Sequence, residues 1–165
     1  LISLFSSPKG LPRERPRPHR VRKTAERVIN LYYYHTKEIL PLGRPTRMLV
    51  RRFFRCRVTG RRGPMDMKLI RVLREAAEHF KSTEITIISA YRSPRFNMEL
   101  RKKLHEVARR SMHTYGKAVD FTIPKVPPAK VARWLRKRRI GGVGFYNKSL
   151  FLHFDTGPVR SWRGT

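Results

Sequence analysis

The stretch Ser111-Met112-His113-Thr114-Tyr115-Gly116-Lys117-Ala118-Val119-Asp120 constrains this chain more than any other. It sets an imidazole and a carboxylate seven residues apart across a glycine, and it leads into an apolar run. Residues i and i+7 share a helix face, but Gly116 interrupts. Lys117 to Ile123 then alternates with β-branched residues, as a strand does. The expectation is His113 on a loop or strand end, a turn at Tyr115-Gly116, and Asp120 on the strand that follows. Phe151-Leu152-His153-Phe154-Asp155 is the complement. Alternate strand residues share a face, so His153 and Asp155 point one way while Phe154 packs beneath. Two histidines and an aspartate that converge form the ligand set of a catalytic zinc, with a fourth position open to water.

The remaining chain has to hold these pieces together. Its 165 residues suffice for one domain with a real core. Lys and Arg number 39 against 11 acidic residues, a formal charge of +28. That balance points to a polyanionic partner: nucleic acid, an anionic membrane surface or a cell-wall polymer. Pro8, Pro12, Pro16 and Pro18 are interleaved with basic residues, so residues 1–27 read as an extended, solvated tail ahead of a domain at 28–165. Residues 1–30 hold eight basic and two acidic residues, so most of the charge belongs to the domain itself. The single cysteine, Cys56, excludes an intrachain disulfide and a cysteine zinc ribbon, and it reads as a small buried residue. No apolar run approaches membrane-spanning length. Leu1 in place of Met reads as processing or trimming.

Taken in order, Val28 to His35 reads as a strand returning through Ile39-Leu40, with His35 a polar strand-end residue. Thr46 to Val58 reads as a short amphipathic helix. Asp66 can cap a helix that runs to Phe80. Glu84 to Ser89 is a buried strand that delivers Arg92 to a loop, where functional side chains collect. Ser93-Pro94 starts a helix to about Arg109, and Pro127-Pro128 starts another into Arg139. Gly141-Gly142-Val143-Gly144 lacks the order of a phosphate loop and reads as close strand packing. The last hairpin ends at Thr156-Gly157-Pro158. His19, His79 and His105 have no such company and are assigned nothing.

Ser-x-His-x-x-Gly-x-Ala-x-Asp at 111–120 follows Ser89-Ala90-Tyr91-Arg92-Ser93 and precedes Gly-Gly-Val-Gly-Phe-Tyr and Phe-Leu-His-Phe-Asp-Thr-Gly. This ordered set resembles the zinc D-Ala-D-Ala peptidase family, and most of all its murein endopeptidase branch, over about residues 28–163. The resemblance implies an α+β fold of the hedgehog/DD-peptidase kind, an antiparallel sheet with flanking helices. It implies His113, Asp120 and His153 as ligands of Zn2+, Arg92 facing a substrate carboxylate or developing oxyanion, and peptidoglycan as substrate in the periplasm or cell envelope. Carboxypeptidase members carry a glutamate base three residues before the final histidine, where this chain has Leu150. Asp155 is then the candidate for base, or for the group that orients His153.

Three function classes follow. The first is a zinc endopeptidase of the cell wall, its basic surface gripping an anionic polymer. The second is an inactive zinc-bearing module that binds the wall, since a fold does not guarantee activity. The third is a nucleic-acid-binding protein on the same scaffold, with Tyr32, Tyr33 and Tyr34 stacking on bases. Strand alternation must bury some of those tyrosines, and no nucleic-acid motif is present.

Overall fold

The computed structural model describes residues 28–103 and 107–164, so the expected basic tail at 1–27 lies outside the described residues. Seven strands are β1 Asn30–Tyr33, β2 Glu38–Pro41, β3 Glu84–Ser89, β4 Ala118–Thr122, β5 Gly142–Tyr146, β6 Phe151–Asp155 and β7 Arg160–Gly164. Four helices are α1 Arg47–Phe53, α2 Lys68–His79, α3 Pro94–Lys103 and α4 Pro128–Arg138. The strands form one sheet in the order β2-β1-β3-β4-β6-β5-β7.

The class is α+β, but the sheet is mixed rather than antiparallel. β1 runs parallel to β3, and β5 parallel to β7. The first pairing is open to a parallel register because β2, α1 and α2 intervene as a long crossover. The second follows from geometry: the turn after β6 reverses the chain and steps it past β5, so β7 must run with β5. β7 itself is absent from the sequence expectation. Arg-Ser-Trp-Arg-Gly carries no apolar alternation to announce a strand.

Apolar side chains from strands and helices make one continuous core. Leu31, Tyr33, Ile85, Ile87, Phe121, Leu152 and Phe154 meet Leu69, Leu73 and Ala76 of α2 and Val131 and Leu135 of α4. The two helices also touch through Trp134, which stacks on His79 and meets Phe80 edge-on. Tyr33 is fully buried while Tyr34 is exposed, so the three tyrosines do not form one stacking surface.

Helix starts follow their capping chemistry. Thr46 Oγ1 accepts from the Leu49 amide, Asp66 Oδ1 from the Lys68 amide at 2.9 Å, and Ser93 Oγ from the Phe96 amide. Two ends differ from expectation. α1 stops at Phe53 rather than Val58, because the Cys56 amide turns back to the Arg61 carbonyl and buries Phe54 and Cys56. α3 does not extend to Arg109. The Asn97 side-chain amide donates to the Ala108 carbonyl at 3.2 Å, whereas a straight helix would set those residues roughly 16 Å apart.

Candidate metal centre

Sheet register does most of the assembly. Asp120 on β4 lies directly opposite His153 on β6, and Ser89 on β3 flanks Asp120 from the other side. Gly144 on β5 and Trp162 on β7 extend this row across the sheet. Two residues along, Ala118, Asp155, Gly142 and Arg160 make a parallel row on the same face. His113 arrives from a 3-10 turn at Met112–Tyr115, and Gly116, at φ 64°, swings the chain from that turn into β4. The expected turn and strand are therefore both present.

Three side-chain atoms converge. Nε2 of His113 lies 3.1 Å from Asp120 Oδ1 and 3.2 Å from His153 Nδ1, and His153 Nδ1 lies 2.9 Å from the same oxygen. The outer ring atoms fix the tautomers. His113 Nδ1 sits 2.6 Å from the Ala90 carbonyl, which can only accept, so Nδ1 carries the proton. His153 Nε2 sits 3.0 Å from Asp155 Oδ2 and donates to it. Each ring thus turns a lone pair inward, towards an oxygen that is also electron-rich. Three such acceptors in mutual contact repel unless a cation or a shared proton lies among them. A tetrahedral ion with bonds of about 2.0 Å spaces its ligand atoms about 3.3 Å apart, close to these separations. The donor set therefore fits a metal ion, and among the described residues it is the one group of His, Cys, Asp or Glu so disposed.

Burial and neighbouring groups set the protonation states differently at each member of the centre. His113 and Asp120 are held in the form a ligand needs, whereas His153 is held towards its charged form. Burial, helped by the Arg92 charge, pushes His113 down to about 4 and keeps it neutral. Burial alone would raise Asp120, but His113 and Arg92 outweigh it and hold the carboxyl well below the usual range. Burial works against a charged His153, yet hydrogen bonds to Asp120 and Asp155 overcome it and raise the imidazole. Asp155 also resists burial: bonds from His153, Arg160 and the Gly157 amide take it down to about 2.

Arg92 is placed on Asp120 itself. Its Nη2 donates to Oδ2 at 2.5 Å and its Nε to Ser89 Oγ at 3.0 Å, leaving Oδ1 for the convergent point. Asp155 lies on the far side of the His153 ring, fully buried, with both oxygens occupied. Oδ1 accepts from the Gly157 amide at 2.9 Å and from Arg160 Nη1; Oδ2 accepts from His153 and Arg160 Nη2. Leu150 is an exposed turn residue at φ 53°. His35 sits in the β1–β2 turn and His79 against Trp134, both away from the centre.

Sequence reasoning missed Arg160 and Trp162. One signal for them existed in Gly142 and Gly144, which lie on the site face of β5. A Cβ on Gly142 would overlap the Asp155 carboxylate and the Arg160 guanidinium, and one on Gly144 would come within 2.6 Å of the Trp162 ring. Close packing was legible there, but not what packs. The centre opens into a cleft of about 830 Å³ walled by Arg57, Arg92, Arg110, Tyr146, Arg160 and Trp162, and Asp120 is its sole carboxylate among the described residues.

The chain is similar to known proteins. The family model described as peptidoglycan L,D-endopeptidase MepK matches residues 21–162. The probable peptidoglycan L,D-endopeptidase MepK of Haemophilus influenzae is 46% identical over 84 residues, 51% of this chain and 45% of that protein. The peptidoglycan L,D-endopeptidase MepK of Escherichia coli K12 is 44% identical over 78 residues, 47% of this chain and 43% of that protein. The matched stretch thus spans less than half the length of these curated relatives. No solved structure matches. With a family model covering most of its length, and His113, Asp120 and His153 drawn together by fold, the chain belongs to the family of the peptidoglycan L,D-endopeptidase MepK.

Proposed function

We propose that this protein is a zinc-dependent endopeptidase that hydrolyses a peptide bond in peptidoglycan, and that it works in the periplasm or cell envelope. The observation that carries the reading is the inward-facing triangle of His113 Nε2, Asp120 Oδ1 and His153 Nδ1, its tautomers set from outside. Two imidazoles and one carboxylate are the donors of a catalytic zinc and leave a coordination position free. Such an ion, when bound, supplies a Lewis acid and lowers the pKa of its water towards neutrality.

The chain's own residues hold that arrangement. Ala90 and Asp155 each fix one imidazole by accepting its outer N–H, which orients the ring and raises its basicity. Arg92 locks the Asp120 carboxylate and keeps positive charge on the cleft wall, where an anionic oxygen of substrate can meet it. Asp155 orients His153 rather than serving as base, because its four contacts leave no oxygen free to receive a proton. Among the described residues, no helix is long and apolar enough to cross a membrane.

Pure protein incubated with muropeptides, with and without a chelator, tests the reading. Expected is a cleaved peptide bond seen by mass, lost on chelation, restored by zinc and absent in His113→Ala. Intact muropeptides alongside full zinc loading would overturn it in favour of a wall-binding module. One observation favours that second reading: no carboxylate in the described cleft is free to act as base.

A further inference from the structure

The opposite face of the sheet carries a second cavity, of about 290 Å³, between α4 and the β5–β7 edge. Strand alternation separates it from the metal cleft. Tyr146 and Trp162 line the cleft, whereas their neighbours Phe145 and Arg163 line this cavity. Small and apolar residues, Ala129, Ala132 and Phe145, lie beside four cations: Arg133, Arg136, Lys137 and Arg163.

Among the described residues, none of these four is paired with a carboxylate. Arg138, next along α4, shows the contrast: it is ion-paired with Glu75 and lies over the Trp134 ring. The helix end accounts for part of the cluster, since cations in a last turn suit the helix dipole. It does not account for Arg133, a turn earlier, or for Arg163, which β7 brings from elsewhere in the chain. Nor does it account for Arg136 Nε, which is buried with no hydrogen-bond partner among the described residues. A buried donor without an acceptor calls for one that the described residues do not supply.

We propose that this cavity is an anion site that takes a phosphate group, as a mono- or diester. Guanidinium groups that line one cavity from two elements suit an acceptor with oxygens in several directions, and phosphate offers that where a carboxylate does not. The site is independent of the metal centre, which lies across the sheet.

NMR of the full chain titrated with sodium phosphate, against sodium chloride at matched ionic strength, tests the proposal. Expected are saturable shifts at α4 and β7, with affinity lowered about tenfold in the double variant Arg136→Gln/Arg163→Gln. Arg44→Gln, remote from the cavity, should leave affinity unchanged. Should the double variant fail to fold, Arg163→Gln alone, on an exposed edge position, should weaken phosphate about threefold. Vesicles of phosphatidylglycerol, against phosphatidylcholine alone, separate two sources of the phosphate. Capture weakened by the substitutions assigns the site to headgroups; capture left unchanged assigns it to soluble phosphate esters. Equal shifts with chloride, or unaltered phosphate affinity in the variants, would overturn the proposal.

Discussion

Arg160 grips Asp155 with both terminal nitrogens, Nη1 on Oδ1 at 3.0 Å and Nη2 on Oδ2 at 2.8 Å. The grip spans β5 at Gly142, the one place in that row with no side chain. Through it a half-exposed surface arginine reaches the candidate metal centre: Arg160 steadies Asp155, and Asp155 steadies His153.

Arg160→Gln should therefore loosen the metal without unfolding the protein. We expect zinc affinity to fall about ten- to a hundredfold in chelator competition. The metal-free protein should stay folded but melt lower, because the buried Asp155 carboxylate loses two charge-assisted hydrogen bonds. Arg160→Lys should fall between, because an ammonium cannot fork across two oxygens. Wild-type affinity in the glutamine variant would mean that His153 and Gly157 alone hold Asp155.

Asp155→Asn tests the orienting role against the catalytic one. An amide keeps the shape but not the charge that faces His153 and Arg160. As an orienter, Asp155 should cost zinc affinity on substitution, with turnover largely recovered at saturating zinc. Turnover that stays lost when zinc is saturating would make Asp155 the base instead.

Gly144 and Trp162 should behave as a coupled pair. A methyl at Gly144 meets the indole ring at 2.6–2.8 Å, so Gly144→Ala should destabilise the fold by about 1–3 kcal/mol in urea melts. The same substitution in Trp162→Ala should cost markedly less, giving a coupling on the order of 1 kcal/mol. Simple additivity would show that the strain is taken up by the backbone.

Asp66 gives a pH signature outside the candidate metal centre. It caps α2 at the Lys68 amide, accepts from Thr156 Oγ1 at 2.7 Å, and its own amide donates to the Gly116 carbonyl. Burial pushes its pKa up, but the Thr156 and Lys68 hydrogen bonds win and the folded value lies below the ordinary one. The unfolded chain then takes up the proton first as pH falls. Asp66 thus contributes in full above about pH 4, and its contribution is lost as pH drops through the folded value. Wild type should exceed Asp66→Asn by about 1 kcal/mol at pH 7, the gap closing at strongly acid pH. A pH-independent gap would mean that charge plays no part.

The convergence of His113, Asp120 and His153 was legible because strand alternation and a glycine turn are local rules, and these residues obey them. Helix starts at Thr46, Asp66 and Ser93 were legible for the same reason, as each side chain caps within its own first turn. What failed is non-local. Whether β1 lies parallel to β3 depends on a crossover that no short window contains. Trp162 and Arg160 sit on an edge strand whose composition carries no period, and only the partner across β5 gives them meaning. Arg92 was found, but its engagement with Asp120 was not, because an arginine's partner is chosen by tertiary placement.

The row that joins Ala118, Asp155, Gly142 and Arg160 has a consequence for how the protein matures. His113 and His153 stand 40 residues apart, so no local segment can bind the ion tightly while the rest is unfolded. β7 follows all three candidate ligands along the chain, so its closure can come last. An ion captured before that closure meets a His153 ring that Arg160 has not yet helped to steady. A protease cut between Thr156 and Arg160, followed by loss of the last strand, would recreate the same state from the finished protein: a folded core whose proposed centre grips an ion less firmly.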